Sequence, residues 1–311
     1  MAAELGVCTL RERAVSIEQS DDRVVAIRTS SARRVLASWF IDASGAASSF
    51  MGRHFQLRSH VYGPPKVALW AHVPVEHEAA GTNLYMLGPD SEYMEWIWEI
   101  PIRCGVSSVG YVLSGATMKS KRIRGMSNSE ILQEALRTFP RLRETAGTEA
   151  TTQPCSTSFR CRSYRDTCGP NWIIVGEAAS QSDPITGNGV TAALRHAAEA
   201  SDIVIRYQKR RRIPLAPRRA YSLRVLEMGR FFNSLIENMF YQPAVRQQLG
   251  VFAVGRAYTI PAWLANLVYS RIEPNRLPGS IAFTSVLTSL RMVAWTTNRA
   301  SAYLGRSLPR P

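Results

Sequence analysis

The stretch WIIVGEAASQSDPITGNGVTAALRHAAE, residues 172–199, decides the fold class of this chain. Its apolar start, Trp172 to Val175, has the length of a buried strand, and Gly176 ends it. After Pro184 the triplet Gly187-Asn188-Gly189 opens an alanine-rich helix predicted to begin near Val190. Three backbone N–H groups and the positive end of the helix dipole then face outward together, and a site of that kind takes an electron-rich ligand. Glu177, at the carboxyl edge of the strand, is placed to accept hydrogen bonds from ligand hydroxyls, because open α/β sheets bind ligands outside the carboxyl ends of their strands. The competing reading is an ordinary strand, loop and amphipathic helix whose glycines only let the helix pack.

The order Gly-acid, six residues, Pro, then Gly-x-Gly before a helix is carried by Gly176, Glu177, Pro184, Gly187, Asn188 and Gly189. It resembles the second flavin fingerprint of FAD-dependent monooxygenases and halogenases of the hydroxybenzoate-hydroxylase type. That family usually has Asp at the position of Glu177, where it binds the ribityl chain, and the extra methylene adds about 1.5 Å of reach. A second resemblance lies in Ser38-Trp39-Phe40-Ile41-Asp42-Ala43-Ser44-Gly45, with Ser48 and Arg53 following. It is similar to the strand end beside the FAD pyrophosphate, which makes Asp42 and Gly45 cofactor-binding candidates. Taken alone, Asp-x-x-Gly after a strand is commonly a turn; two such segments in the family's order, separated by a domain-sized insert, say more than either.

Trp96-Ile97-Trp98-Glu99-Ile100-Pro101 is similar to the Trp-x-Trp-x-Ile-Pro signature of flavin-dependent halogenases. There the tryptophans wall the flavin off from the organic substrate, so the resemblance makes Trp96 and Trp98 the catalytic candidates. Alternation of Met94, Trp96, Trp98 and Ile100 also suits one buried face of a strand that Pro101 ends. The resemblance implies an FAD-dependent oxidoreductase in which a flavin hydroperoxide oxidises halide or, in the hydroxylase variant, a small organic substrate. Its electron donor would be reduced flavin or NAD(P)H. Thr186 stands where indole halogenases carry Glu, which disfavours indole, and none of Lys66, Lys119, Lys121 and Lys209 sits in a motif like that of the family's catalytic lysine.

Enzymes of that type open with a strand, a Gly-x-Gly-x-x-Gly turn and a helix that hold the pyrophosphate. This sequence has none of these, and Met1 to Val7 resembles the end of a helix that lies well inside such proteins. The expectation is therefore an N-terminally truncated flavoenzyme, a split-gene product or a misplaced start. The alternatives are a membrane-surface flavin reductase acting on a lipid, and an inactive remnant or partner subunit.

With 311 residues, 45% hydrophobic and 20% charged, the chain can bury two modest cores. Its net charge of +14 comes from 38 basic residues of which only four are lysine. Lys209 to Arg212, with Arg218 and Arg219, cluster without interleaved aromatic residues, which argues against nucleic acid as a partner. Five cysteines and five histidines show no ligand spacing, so neither a metal nor a disulfide framework is expected, and His196 reads as a surface or helix-packing residue. No secretory signal opens the sequence and no run approaches the ~20 apolar residues of a membrane span, so the expected location is cytoplasmic.

The overall expectation is α/β, or α+β taken as a whole. Residues 1–60 and 166–205 form a partial, Rossmann-like FAD-binding domain; residues 61–165 form a β-sheet substrate domain; residues 206–311 form a C-terminal helical cap. Strands are expected at Cys8 to Ile17, Arg23 to Thr29, Val35 to Asp42, Val67 to Val75, Asn83 to Leu87, Met94 to Pro101 and Ser107 to Leu113, with one helix, Asn128 to Phe139, among the later ones. Beyond Arg206, Leu223, Leu226, Met228, Phe231, Leu235, Ile236 and Met239 give one apolar helical face, and Ala257 to Ser270 and Ile281 to Leu290 are uncharged. The sharper alternative to a cap is peripheral membrane contact, with Arg246, Arg256, Arg271 and Arg276 among the flanking basic residues.

Overall fold

Short strands tied by buried polar groups build one half of the molecule, and long alternating strands build the other. The computed structural model describes residues 3–45, 49–75, 81–87, 94–143 and 153–237. The chain divides into one unit made of Met1–Val61 with Arg162–Arg230, and a second made of Tyr62–Cys161 with the described residues from Phe231 on.

The first unit opens with a single 3-10 turn, Ala3–Leu5. An antiparallel sheet follows in the order β1 (Ala14–Ser20), β2 (Arg23–Thr29), β3 (Arg34–Leu36). Val24 and Ala26 point inward from β2, and outside Glu18 links Arg28 at 2.6 Å to Arg34 at 2.7 Å. The first strand starts at Ala14 and not at Cys8, because Ala14 pairs with Thr29, the last residue of β2, and the pairing runs out there with one further backbone bond, Ser30 N to Arg13 O at 2.8 Å. The expected strand Val35 to Asp42 is two strands. After Leu36 the chain leaves this sheet, and β4 (Phe40–Asp42) joins another, in parallel with a strand far down the sequence. The short helix α1 (Phe50–His54), capped by Ser49, and β5 (Ser59–Val61) complete this part.

The second unit holds β6 (Lys66–Pro74), β7 (Asn83–Leu87), β8 (Glu95–Arg103), β9 (Val106–Ser114), helices α2 (Gly115–Ile123) and α3 (Asn128–Arg137), and β10 (Cys155–Phe159). The sheet runs β10-β6-β9-β8-β7, antiparallel throughout. One face, with Val67, Leu69, Ala71, Val73, Ile97, Val109, Tyr111 and Leu113, packs on Ile131, Leu132, Ala135 and Leu136 of α3. Full burial of such side chains stabilises by about 1.5–3 kcal/mol each. Helix α3 begins with a capping box between Ser127 and Glu130. Helix α2 was not expected: it buries no residue and opens on glycine, so periodicity does not mark it, and it stands on the Ser114 side chain that accepts from Thr117 N at 3.0 Å.

Trp96 and Trp98 share one face of β8, as their alternation suggests, and one expectation for the strand, its end at Pro101, is corrected. The face packed on α3 carries Ile97, whereas Trp96 and Trp98 lie on the opposite one, where Trp96 is buried and Trp98 half-buried. Pro101 does not end the strand; it pairs with Ser107 beside a register shift, where a missing N–H is tolerated. Opposite Trp98 lies Gly110, and a Cβ there would come within 2.1 Å of Trp98 Cζ2, so the indole lies directly on the β9 backbone. Its Nε1 donates to Ser108 Oγ at 3.2 Å.

The chain then returns to the first unit through β11 (Arg162–Tyr164), β12 (Trp172–Ile174), β13 (Ser180–Gln181) and helices α4 (Gly189–Tyr207) and α5 (Leu215–Leu235). Strand β12 pairs with β4 in parallel, Trp172 opposite Phe40, Ile173 opposite Ile41 and Ile174 opposite Asp42. Asn171 is 1% exposed and holds β2 to this pair, accepting from Val24 N at 3.0 Å and donating to Val24 O at 2.7 Å and Ser38 O at 3.2 Å. Helix α5 begins inside the expected cap region, and the segments Ala257 to Ser270 and Ile281 to Leu290, with Met239, lie outside the described residues. Among the described residues no helix is long and apolar enough to cross a membrane.

Gly110→Ala is expected to cost about 1–3 kcal/mol, since the methyl group must displace Trp98 from a packed face. Thermal melts of the variant alone and with Trp98→Ala check this: the double variant should recover most of the loss attributable to the clash, and an unshifted single variant would show that the indole moves freely.

Candidate functional site

The parallel pair β4–β12 brings together two stretches that lie more than a hundred positions apart in the sequence. Beyond the strands, Val175 N donates to Asp42 O at 2.9 Å, so both chains leave the sheet side by side at its carboxyl end. Open α/β sheets bind their ligands at that end.

Asp42 is 5% exposed, and its carboxylate is occupied by the chain itself. Oδ1 accepts from Ser44 N at 3.0 Å; Oδ2 accepts from Ser49 Oγ at 2.6 Å and from Met51 N at 2.8 Å. Ser49 Oγ accepts in turn from Gly52 N at 2.8 Å, and Ser44 Oγ from Phe50 N at 3.1 Å. The acid thus shapes the turn and caps α1. Gly45, with φ of 82°, sits where a side chain is strained.

On the other stretch Gly176 adopts φ of 60° and opens the 3-10 turn Gly176–Ala178. Its amide is tied down: Gly176 N donates to His196 Nδ1 at 3.1 Å, and one peptide earlier Ile174 O accepts from Tyr221 Oη at 2.8 Å. Glu177 is exposed, with no hydrogen-bond or ion-pair partner among the described residues. Asp183 caps the turn Pro184–Thr186 by accepting from Ile185 N at 3.1 Å, Gly187 is left-handed at φ of 60°, and Asn188 is the N-cap residue of α4. A Cβ on Gly189 would stand 3.2 Å from Glu177 Oε1, so the free carboxylate lies against the first turn of α4, whose amides have no intrahelical acceptor.

The first unit therefore holds Asp42, Gly45, Gly176, Glu177, Pro184, Gly187, Asn188 and Gly189, while Trp96 and Trp98 belong to the second. Trp96 Nε1 is buried with no acceptor among the described residues. Of the supports, the sequence marked His196 only as a surface or helix-packing residue, and Tyr221 and Asp183 not at all; His196 is buried on α4. The signal for His196 was its spacing with Ala200 and Ile203, the residues α4 buries with it. Among the described residues no cluster of His, Cys, Asp and Glu is arranged to hold a metal.

Burial pushes the His196 imidazole down from 6.5 to about 4, and its Nδ1 must be unprotonated to accept from Gly176. Between those values the unfolded chain binds a proton that the folded chain refuses, so stability falls as pH drops from about 6.5 to about 4 and loses nothing more on this account below that. The loss expected is about 3 kcal/mol. His196→Asn, which keeps an acceptor and does not titrate, should flatten that part of the stability–pH profile measured by urea unfolding; parallel profiles would refute the assignment.

The family model for tryptophan halogenases matches residues 1–204. Tryptophan 2-halogenase of Chondromyces crocatus is 29% identical over 164 residues, 51% of this chain and 31% of that protein. The flavin-dependent halogenase armH5 of Armillaria mellea is 27% identical over 180 residues, 55% of this chain and 34% of its own. The aligned part of this chain spans about a third of the length of these relatives. Among solved structures, the flavin-dependent brominase Bmp2 is similar with a TM-score of 0.71 at 17% identity, covering 93% of this chain and 72% of that one. The flavin-dependent halogenase CmlS gives 0.65 at 17% identity, covering 96% and 57%. At such identities the structures establish a shared fold, and the family match, which spans well over half of the 311 residues, establishes that the chain belongs to the tryptophan halogenase family.

Proposed function

We propose that this chain carries part of the flavin-binding unit and the substrate-side sheet of an FAD-dependent halogenase-type oxidoreductase. The observation that carries the reading is the parallel β4–β12 pair, which sets a free carboxylate, Glu177, and the amide-bearing start of α4 at one sheet end. The donor set fits a flavin. Gly187 N already donates to Pro184 O at 2.9 Å, so the amides of Asn188 and Gly189 are the ones that suit the electron-rich N1 and O2 edge of the ring, and Glu177 suits a hydroxyl of the ribityl chain. The missing Cβ at 189 leaves room for such an edge beside the carboxylate. Asp42 contributes by folding the loop through Gly45, since its own oxygens are filled.

When bound and reduced, FAD would supply the oxidising power, drawn from oxygen, that converts halide to a halogenating agent. The protein's part is to bind and orient the ring, and to keep water and organic substrate away from it. Trp96 and Trp98 would form the apolar wall for the second task, as the Trp-x-Trp-x-Ile-Pro motif implies, and a partner that delivers reduced flavin would complete the cycle. The names of the relatives, a tryptophan 2-halogenase and flavin-dependent halogenases, favour halide and a small organic molecule as substrates.

FAD titration of the 311-residue chain, followed by flavin fluorescence, tests the reading. Glu177→Ala should weaken binding about tenfold or more, the value of a charge-assisted hydrogen bond. Gly189→Val should abolish binding with the melting temperature little changed, because the position is helical and its one close neighbour among the described residues is the end of a flexible side chain. Wild-type and Glu177→Ala chains with equal affinity would reject Glu177 as a ligand.

The halogenase subclass is tested on the tryptophans. With reduced FAD, halide and an organic substrate supplied, Trp96→Ala and Trp98→Ala should shift product from halogenated to hydroxylated compound and hydrogen peroxide. If these residues are core alone, the variants lose about 3–5 kcal/mol of stability with the product ratio unchanged. Turnover of organic substrate without halide by the unmutated chain would overturn the halogenase assignment in favour of a hydroxylase.

A further inference from the structure

The turn Gly176–Ala178 of the candidate site is itself held in place. Four hydrogen bonds fix the exit of β12. Ile174 O accepts from Tyr221 Oη at 2.8 Å, Val175 N donates to Asp42 O at 2.9 Å, Gly176 N donates to His196 Nδ1 at 3.1 Å, and Gly176 O accepts from Ala179 N at 3.0 Å. The bond to His196 differs from the others, for it joins the amide at the left-handed glycine to a side chain of α4, the helix whose first turn forms the other wall of the site.

His196 is 4% exposed, its ring meets Tyr221 edge-on at 6.3 Å between centroids, and its Nε2 has no partner among the described residues. A histidine that served only to fill space would be exchangeable for an apolar side chain, which carries no desolvation cost. Here the ring instead supplies the one acceptor for a buried amide that no sheet neighbour reaches, and an unsatisfied buried amide is costly. The glycine leaves no slack: a Cβ at 176 would stand 3.3 Å from Ala193 Cβ of α4, so turn and helix are already in close approach.

We propose that His196 is the positioning residue of this site, using its Nδ1 to lock the Gly176–Glu177 turn to α4, so that the Glu177 carboxylate and the α4 amides keep one fixed spacing for the ligand they share. This rests on the flavin reading for the identity of the ligand, and not for the lock itself. It acts through Gly176 and touches no reacting atom.

Side-chain amides separate the lock from mere filling, because the Asn oxygen takes the place of Nδ1 and the Gln oxygen that of Nε2. In the full chain, His196→Asn should keep Gly176 amide exchange and FAD affinity within about threefold of wild type, whereas His196→Gln should speed exchange at Gly176 and weaken FAD by about tenfold, the scale of one hydrogen bond. Melting temperatures of the two variants, which differ by one methylene, show whether either has lost its fold, and Tyr221→Phe, which removes the neighbouring bond to Ile174 O, should leave exchange at Gly176 itself close to wild type. Equal effects of Asn and Gln on both readouts would overturn the proposal. If the wild-type chain takes no FAD, the flavin reading falls, and amide exchange at Gly176 alone decides the lock: protected with Asn and open with Gln upholds it, open or protected with both rejects it.

Discussion

The hydrogen bond from Val175 N to Asp42 O, closing the parallel pair of β4 and β12, is the constraint on which the first unit depends. Parallel strands cannot be joined by a tight turn. Here the connection between them carries residues 62–161 of the second unit, so nothing local in the sequence enforces the pairing. Each strand is three residues long, too short for β-propensity to decide register. What decides it is the set of polar groups around the pair. Asp42 gives its backbone oxygen to β12 and its carboxylate to Ser44, Ser49 and Met51, so one residue both closes the sheet and folds the loop that leaves it.

Asn171 does the same work one residue before β12. Its carboxamide answers both backbone groups of Val24 and so acts as a rung of sheet for β2, a strand with which β12 shares no ladder. Tyr221 and His196 add the ties to α5 and α4. Close approach completes the set: a Cβ on Gly229 of α5 would fall within 2.3 Å of the Ser163 and Ser180 hydroxyl oxygens, which bond each other at 2.8 Å. Buried polar groups of this kind add little net stability when paired and cost much when one partner is lost. They specify one arrangement. The second unit is built on a different principle, with nine-residue strands paired residue by residue into one antiparallel sheet whose apolar face packs on α3, and with Glu99 fastening the edge strand through Tyr85 at 2.8 Å and Asn83 at 3.2 Å.

That contrast explains what the sequence disclosed. Asn83–Leu87 and Arg23–Thr29 are found at their expected bounds because alternation and flanking turns marked them. Helix α3 was visible through a cap at Ser127 or Asn128 and the stop at Pro140, and the structure adds Glu130 as the other half of a capping box. Helix α2 was invisible because it buries nothing. The switch of Val35 to Asp42 from one sheet to another was invisible because it is set by Asn171 and Asp42, whose partners lie far off in sequence or act through backbone atoms. At the candidate site the glycines and Glu177 stood out by spacing. His196 stood out only as a surface or helix-packing residue, since its spacing with Ala200 and Ile203 carries no information about a buried acceptor.

Glu177 shows how one local change draws in another. The usual acid at that position is a methylene shorter, yet the longer side chain does not simply overshoot, because its Oε1 lies back toward the start of α4, 3.2 Å from where a Cβ on residue 189 would be. A carboxylate there gains from the positive end of the helix, about 0.3–1 kcal/mol for a group on the surface. Glycine at 189 makes that approach easy: a Cβ there would stand 3.2 Å from Glu177 Oε1, so the carboxylate would have to give way by a few tenths of an ångström, and a branched side chain would crowd the space between it and the helix. Acceptor and donors consequently sit on one edge, and a molecule that binds there must present a hydroxyl to Glu177 and an electron-rich edge to the amides of α4 at the same time. A flavin, whose ribityl chain leaves N10 of the central ring close to the N1 and O2 edge, has that pair of features, whereas a simple phosphate would face the free carboxylate with its own negative charge.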